Sequence, residues 1–252
     1  MLQSILPAEA FGFLLVLIRV GAMFSFAPAF GEQQIPMRVR LAGAVGVSGM
    51  VFALVRGDMP ALPASPVLLV GLIIMEFLIG LMIALAARLM LNALNIAGTI
   101  VAFQTSLAAS QQFDPTQGQQ SAIFASFFSV LGVALIFATD LHILMLRAMT
   151  DSYSLFPAGE MPPLGDFASA VVDLVAASFL LGVQISAPFL VFGVVFNIGL
   201  GLTARLMPQL PVFFVAMPLN IFLGFLILLI ALPAMMLWFL EVYEERLSVF
   251  LN

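Results

Sequence analysis

Long apolar runs separated by short polar or proline-rich stretches organise this chain. Leu6 to Phe30 is apolar and roughly long enough to span a bilayer. Gly31 to Arg40 (GEQQIPMRVR) follows as a polar loop with a proline stop at Pro36. Leu41 to Val55 is a short run with glycines at 43, 46 and 49, a spacing that predicts close helix packing. Arg56 to Pro66 holds three prolines and reads as a second loop. Val67 to Phe103 is 37 residues long. As one helix it would reach about 55 Å against a bilayer core of about 30 Å, so the pattern predicts a bent helix, a tight hairpin or an extension beyond the membrane.

The second half repeats this alternation. Ile123 to Met149 is another run of spanning length, and Asp151 to Asp166 reads as a loop with Pro157, Pro162 and Pro163. Phe167 to Leu206 is too long for one simple span, and Pro188 is expected to kink or break it. Met207 to Pro211 forms a further break. Val212 to Leu240 is the last apolar run and ends in a polar tail, Glu241 to Arg246. The pattern predicts about six hydrophobic helical segments, two of them overlong.

Between the third and fourth runs lies a polar island, Gln104 to Gln120 (QTSLAASQQFDPTQGQQ). Six of the chain's eleven glutamines fall within these 17 residues. Asp114-Pro115 followed by Gly118 is turn chemistry. One reading is a solvated loop between two spans. The other is a re-entrant element lining or closing a pore, because irregular backbone at membrane depth is tolerated only against protein or water. The island has no basic residue, one acid and one large ring, Phe113. Neutral amides can line a conduit without trapping charged cargo, and an apolar ring can block it.

Composition sets the class. Hydrophobic residues make up 63% of the chain and charged residues 8%. A soluble domain averages about 45–50% apolar and about 25% charged, so part of this surface faces lipid or other apolar protein. The fold class is an all-α integral membrane protein. Ala27-Pro28-Ala29 mimics a leader-cleavage pattern, but Arg19 sits inside the apolar stretch and no basic residue precedes it, so residues 10–30 are expected to be retained. The few arginines set no clear orientation: Arg38, Arg40 and Arg205 favour cytoplasmic first and fifth loops, whereas Arg56 and Arg147 oppose that arrangement.

Charge and residue inventory narrow the function. Every basic residue other than His142 is one of eight arginines, and a net charge of −5 spread thinly argues against nucleic acid as a partner. With no cysteine and a single histidine, thiolate metal sites and multi-histidine sites are excluded. No hydrolytic triad stands out, and no enzyme is expected. Gly199 to Ala204 (GLGLTA) carries the letters of a dinucleotide fingerprint without its strand or its acidic partner, and reads as close helix packing. With 25 Phe against one Trp and two Tyr, the usual interfacial belt is nearly missing, as suits helices covered by other subunits. Arg19, Glu76, Arg88, Asp140, His142 and Asp173 fall at apparent membrane depth, where such groups face protein or water. They read as a proton relay or as packing charges. Asp140 and His142 point to different faces of a helix, and Glu76 and Arg88 lie about 18 Å apart along one, so spacing alone predicts no close pair.

Three blocks, in order, carry a family resemblance. The first is Arg19-Val20-Gly21-Ala22, Pro28-Ala29-Phe30-Gly31, Pro36 and Arg40. The second is Glu76, Gly80, Gly98, Gln104, Asp114 and Pro115. The third and most specific is Arg205-Leu206-Met207-Pro208-Gln209-Leu210, with Phe213, Pro218 and Leu219. Over nearly its whole length the chain resembles the FliR/SctT family of type III secretion export-gate subunits. The resemblance implies bent helical hairpins packed in a spiral assembly with FliP-like and FliQ-like subunits, beside FlhA- and FlhB-like export proteins. It implies the bacterial inner membrane at the flagellar basal body, unfolded export substrates, and no cofactor. It implies a FliP-like part over residues 1–150 and a FliQ-like part over 151–252. It places a channel plug on the island, at Gln111, Gln112, Phe113, Asp114 and Pro115, and packing or assembly roles on Arg19, Glu76, Arg88, Arg205, Pro208 and Gln209. Two alternatives stand beside this reading: a proton-coupled transporter of a small solute, with Glu76, Asp140 or His142 as carrier, and the injectisome member of the same family.

Overall fold

A computed structural model describes residues 2–28, 30–32, 35–107, 122–160, 164–209 and 211–251. Every regular element among them is helical: α1 (Leu2–Phe26), α2 (Met37–Val55), a 3-10 turn (Arg56–Asp58), α3 (Pro66–Gln104), α4 (Ala122–Ala138), α5 (Leu141–Leu155), α6 (Leu164–Ile185), α7 (Ala187–Leu206) and α8 (Val212–Ser248). Six of these, α1, α2, α3, α6, α7 and α8, are long and apolar enough to cross a membrane. Helices α4 and α5 form a further apolar pair bent by 73°. The chain is an all-α membrane protein.

Prolines and one aspartate set most of the boundaries. Pro36 immediately precedes α2 and Pro66 opens α3, where a missing N–H costs nothing. Pro36 therefore starts a helix instead of stopping one, and Met37 to Arg40 are helical rather than loop. The long run containing Pro188 does break: Ser186 separates α6 from α7, and Pro188 is the second residue of α7. The run from Ile123 to Met149 is not one helix. Asp140 takes a left-handed conformation (φ 59°) and divides α4 from α5. Asp151 to Leu155, expected in a loop, complete α5. Helix α3 is one uninterrupted helix of 39 residues, with a contour length of about 58 Å, which rules out a hairpin. The expected polar tail continues α8 to Ser248, because Tyr243 and Leu247, one helical turn apart, are both buried.

The chain forms two compact units, each assembled from separate stretches. One comprises Met1–Leu89, Phe137–Val175 and Tyr243–Asn252; the other comprises Met90–Ile136 and Ala176–Val242. In the first, Val16, Val20 and Met23 make the buried stripe of α1, Ala27 just past its end is buried too, and Ile79 and Ile83 of α3 and Met145 and Met149 of α5 are buried with them. In the second, Met90, Leu94, Ala97 and Val101 give the inner face of α3, with Phe128 and Phe189 also buried.

Much apolar surface stays outside. Helix α2 buries only Ala44, Ser48 and Val51, while Val39, Leu41, Met50 and Leu54 are exposed. Helix α7 buries only Phe189 and Gly193 and exposes Val191, Val194, Val195, Ile198, Leu202 and Leu206. Of the glycines read as packing residues, Gly43 meets the Phe24 ring, but Gly46, Gly49, Gly199 and Gly201 have no neighbour among the described residues where a Cβ would stand. Among the described residues, the packing expected at those four is not made within the chain.

Candidate functional site

Two polar clusters stand out, one in each unit. The first centres on Arg19 of α1, which is fully buried. Its Nε donates to Glu76 Oε2 at 2.6 Å and its Nη2 to Oε1 at 3.1 Å, a two-point guanidinium–carboxylate pair. Nη1 donates to Ser152 Oγ and Nη2 also to the Phe156 carbonyl, each at 3.1 Å. The guanidinium lies 3.8 Å above the centre of the Tyr153 ring, an additional cation–π contact.

Glycine makes this meeting possible. Gly80 lies one turn after Glu76 on α3, and a Cβ there would strike the Arg19 carbonyl and Ala22. The bare backbone lets α1 and α3 approach until the two charges touch. Gly159 has φ +93°, a conformation L side chains rarely adopt, and packs on Pro60. The cluster is a paired, hydrogen-bonded charge in an apolar interior, which is how a buried ion is tolerated. Both Glu76 oxygens already accept from Arg19, so the carboxylate is engaged in packing.

The second cluster lies at the start of the polar island. Gln104 is the last residue of α3, and Thr105 turns its hydroxyl back to the Val101 carbonyl at 2.8 Å. Ser106 adopts φ 59°. From α8, the buried Asn220 amide donates to the Gln104 carbonyl at 3.1 Å and to the Ser106 hydroxyl. Two glycines leave the room. A Cβ on Gly193 of α7 would overlap the Gln104 side chain, and one on Gly224 of α8 would overlap Thr105. Beside this turn is an apolar cavity of about 650 Å³, with Leu107, Ile123, Phe124, Phe127, Met217 and Phe225 in its wall.

The expected site residues are distributed unevenly over these clusters. Arg19 and Glu76, 57 positions apart, form the buried pair that spacing did not reveal. Arg88 is exposed and lies near the Phe26 carbonyl (3.4 Å) and Glu32 (4.0 Å), away from Glu76. Arg205, Pro208 and Gln209 lie exposed around the end of α7. Asp140 and Asp173 are exposed, and His142 stacks 4.9 Å from Phe137 with its Nδ1 buried and unpartnered among the described residues. Gln111, Gln112, Phe113, Asp114 and Pro115 lie outside the described residues. Among the described residues no cluster of metal-binding side chains occurs. Sequence reasoning missed Asn220, although the signal was present: it is the one amide in the apolar run Val212 to Leu240.

Comparison with known proteins places this geometry. Residues 10–246 match the family described as bacterial export proteins, family 1. A flagellar biosynthetic protein FliR of Caulobacter vibrioides is 41% identical over 236 residues, covering 94% of each chain. FliR of Pectobacterium carotovorum is 29% identical over 86% of this chain and 82% of its own, and FliR of Bacillus subtilis is 28% identical over 95% and 93%. On this match, which takes in both polar clusters and all but the outer ends of the six candidate spans, the chain belongs to family 1 of the bacterial export proteins.

Proposed function

We propose that this chain is a non-enzymatic core subunit of the flagellar type III protein-export gate, in the bacterial inner membrane at the flagellar basal body, and that its polar island plugs the channel for unfolded flagellar subunits. The observation that carries the reading is the rooting of the island. Its first three residues are held by Gly193 of α7 and by Asn220 and Gly224 of α8, in a turn fitted among apolar helices. A loop merely linking two spans through water needs no such socket. Phe113 supplies the bulk of the plug, and Gln111, Gln112, Asp114 and Pro115 its polar turn.

The partners are FliP-like and FliQ-like subunits, with FlhA- and FlhB-like export proteins nearby. Residues 1–150 act as the FliP-like part and 151–252 as the FliQ-like part. The open faces of α2 and α7 support partner packing, since exposed apolar helices without an aromatic belt suit a protein neighbour. Arg205, Pro208 and Gln209 meet a partner at the end of α7, and Arg88 does so beside Glu32. Arg19 and Glu76 act on assembly from within, by holding the subunit's own fold.

Deleting Gln111 to Gly118 tests the plug. The expected result is an assembled gate that leaks small ions; a tight membrane with normal export removes the assignment. Purification in mild detergent tests the partners, with FliP-like and FliQ-like subunits recovered in excess over this chain.

A further inference from the structure

We infer that Asn220 is a positioning residue for the polar island: its side-chain amide holds the Gln104–Ser106 turn and so fixes the direction in which the island leaves α3. The inference rests on the plug reading above and assigns to α8 the control of that same element.

The argument begins with an anomaly of position. Asn220 sits within a 37-residue apolar helix and is only 4% exposed. A polar side chain in such a helix must find partners in protein, because lipid offers none. Both partners it finds belong to the turn, the Gln104 carbonyl and the Ser106 hydroxyl. The orientation of the amide follows from them. Turned about, its oxygen would face the Gln104 carbonyl, which can only accept; as it stands, its nitrogen donates to that carbonyl and to the Ser106 hydroxyl, and Oδ1 is left buried without a partner among the described residues. The side chain gives up one hydrogen bond to make two with the turn.

The turn needs that hold. Ser106 is a non-glycine residue at φ 59°, a conformation that persists only when its surroundings impose it. Its backbone N–H reaches the Phe103 carbonyl only at 3.3 Å, so the local hydrogen bonding is thin. Thr105, 1% exposed, is seated on Gly224, one turn beyond Asn220 on the same helix. Helix α8 therefore presents a matched pair, a gap for Thr105 and an amide for its neighbours. Without the amide, Ser106 relaxes toward negative φ and the chain leaves α3 in another direction.

The test uses the full chain expressed with its native partner subunits. Ion leak across the membrane is read with a potential-sensitive dye, and assembled complex is measured in parallel on native gels. Asn220→Ala removes both hydrogen bonds, and Asn220→Asp keeps the shape but removes the donors. Each is expected to raise leak per assembled complex by about fivefold or more. Ser106→Gly, added to Asn220→Ala, allows positive φ without strain and is expected to restore much of the seal, which a packing defect at position 220 would not permit. An Asn220→Ala gate as tight as the parent, while the 111–118 deletion leaks, overturns the inference and leaves the plug reading standing. A deletion that does not leak overturns both. If Asn220→Ala prevents assembly, Ser106→Ala decides: it leaves Asn220 in place and removes one acceptor, so a leak supports the inference and a tight gate defeats it.

Discussion

The two polar clusters hold helices together by opposite means. Around Arg19 the chain uses full charges, partnered by a two-point carboxylate, a hydroxyl, a carbonyl and an aromatic face. Around Asn220 it uses a neutral amide, a hydroxyl and a left-handed serine, with one acceptor left over. The first arrangement cannot be opened without stranding a charge in apolar surroundings. The second can be, because only two ordinary hydrogen bonds are lost and part of the backbone strain is relieved. The charged joint is therefore the costlier of the two to break.

The largest expected effect comes from splitting the charged cluster. Glu76→Ala leaves Arg19 buried and unpaired and is expected to cost about 3–5 kcal/mol, read as loss of the folded subunit or a large drop in thermal midpoint in detergent. The double replacement Arg19→Met with Glu76→Leu strands no charge, so it should be milder than either single change. A double variant as damaging as Glu76→Ala would mean that the pair does more than neutralise itself.

Forcing apart the helices that carry the clusters ranks next. Gly80→Val drives a side chain into the Arg19 carbonyl, and Gly98→Val sets one about where the Ala125 backbone stands, 2.5 Å from its Cα. Each is expected to destabilise by about 1–3 kcal/mol or more. Gly21→Ala, on the same helix as Arg19 but with no described residue within 4 Å of the added Cβ, should leave the midpoint of the isolated subunit nearly unchanged. Asn220→Ala follows, with its main effect on leak rather than stability. The smallest effect is expected at the exposed pair of Arg56 and Glu9, whose side chains are 61% and 33% exposed. Arg56→Ala should change stability by less than about 1 kcal/mol, checked in the same melting experiment.

Much of this arrangement was legible along the chain, for a physical reason. Apolar length and proline position are local properties, so the runs, the break near Pro188, the break at Met207 to Pro211 and the start of the island at Gln104 could all be read directly. The bend at Asp140 could not, because no proline or glycine marks it, and the left-handed turn falls on an aspartate inside an apolar run. Tyr243 and Leu247 likewise turned a polar tail into helix only by finding buried places.

By itself the sequence determined that this is a helical membrane protein of the export family, with one amide-rich island and a few costly charges among apolar helices. Only the tertiary structure decided which charges are partners. Arg19 and Glu76 are 57 residues apart, and no periodicity connects them until Gly80 lets α1 and α3 touch. Asn220 and Ser106, 114 residues apart, are joined in the same way by Gly224 and the seat it gives Thr105. Helical spacing reports which face a residue occupies on its own helix. Which faces meet is set by where two backbones can approach, and that is a property of the folded chain.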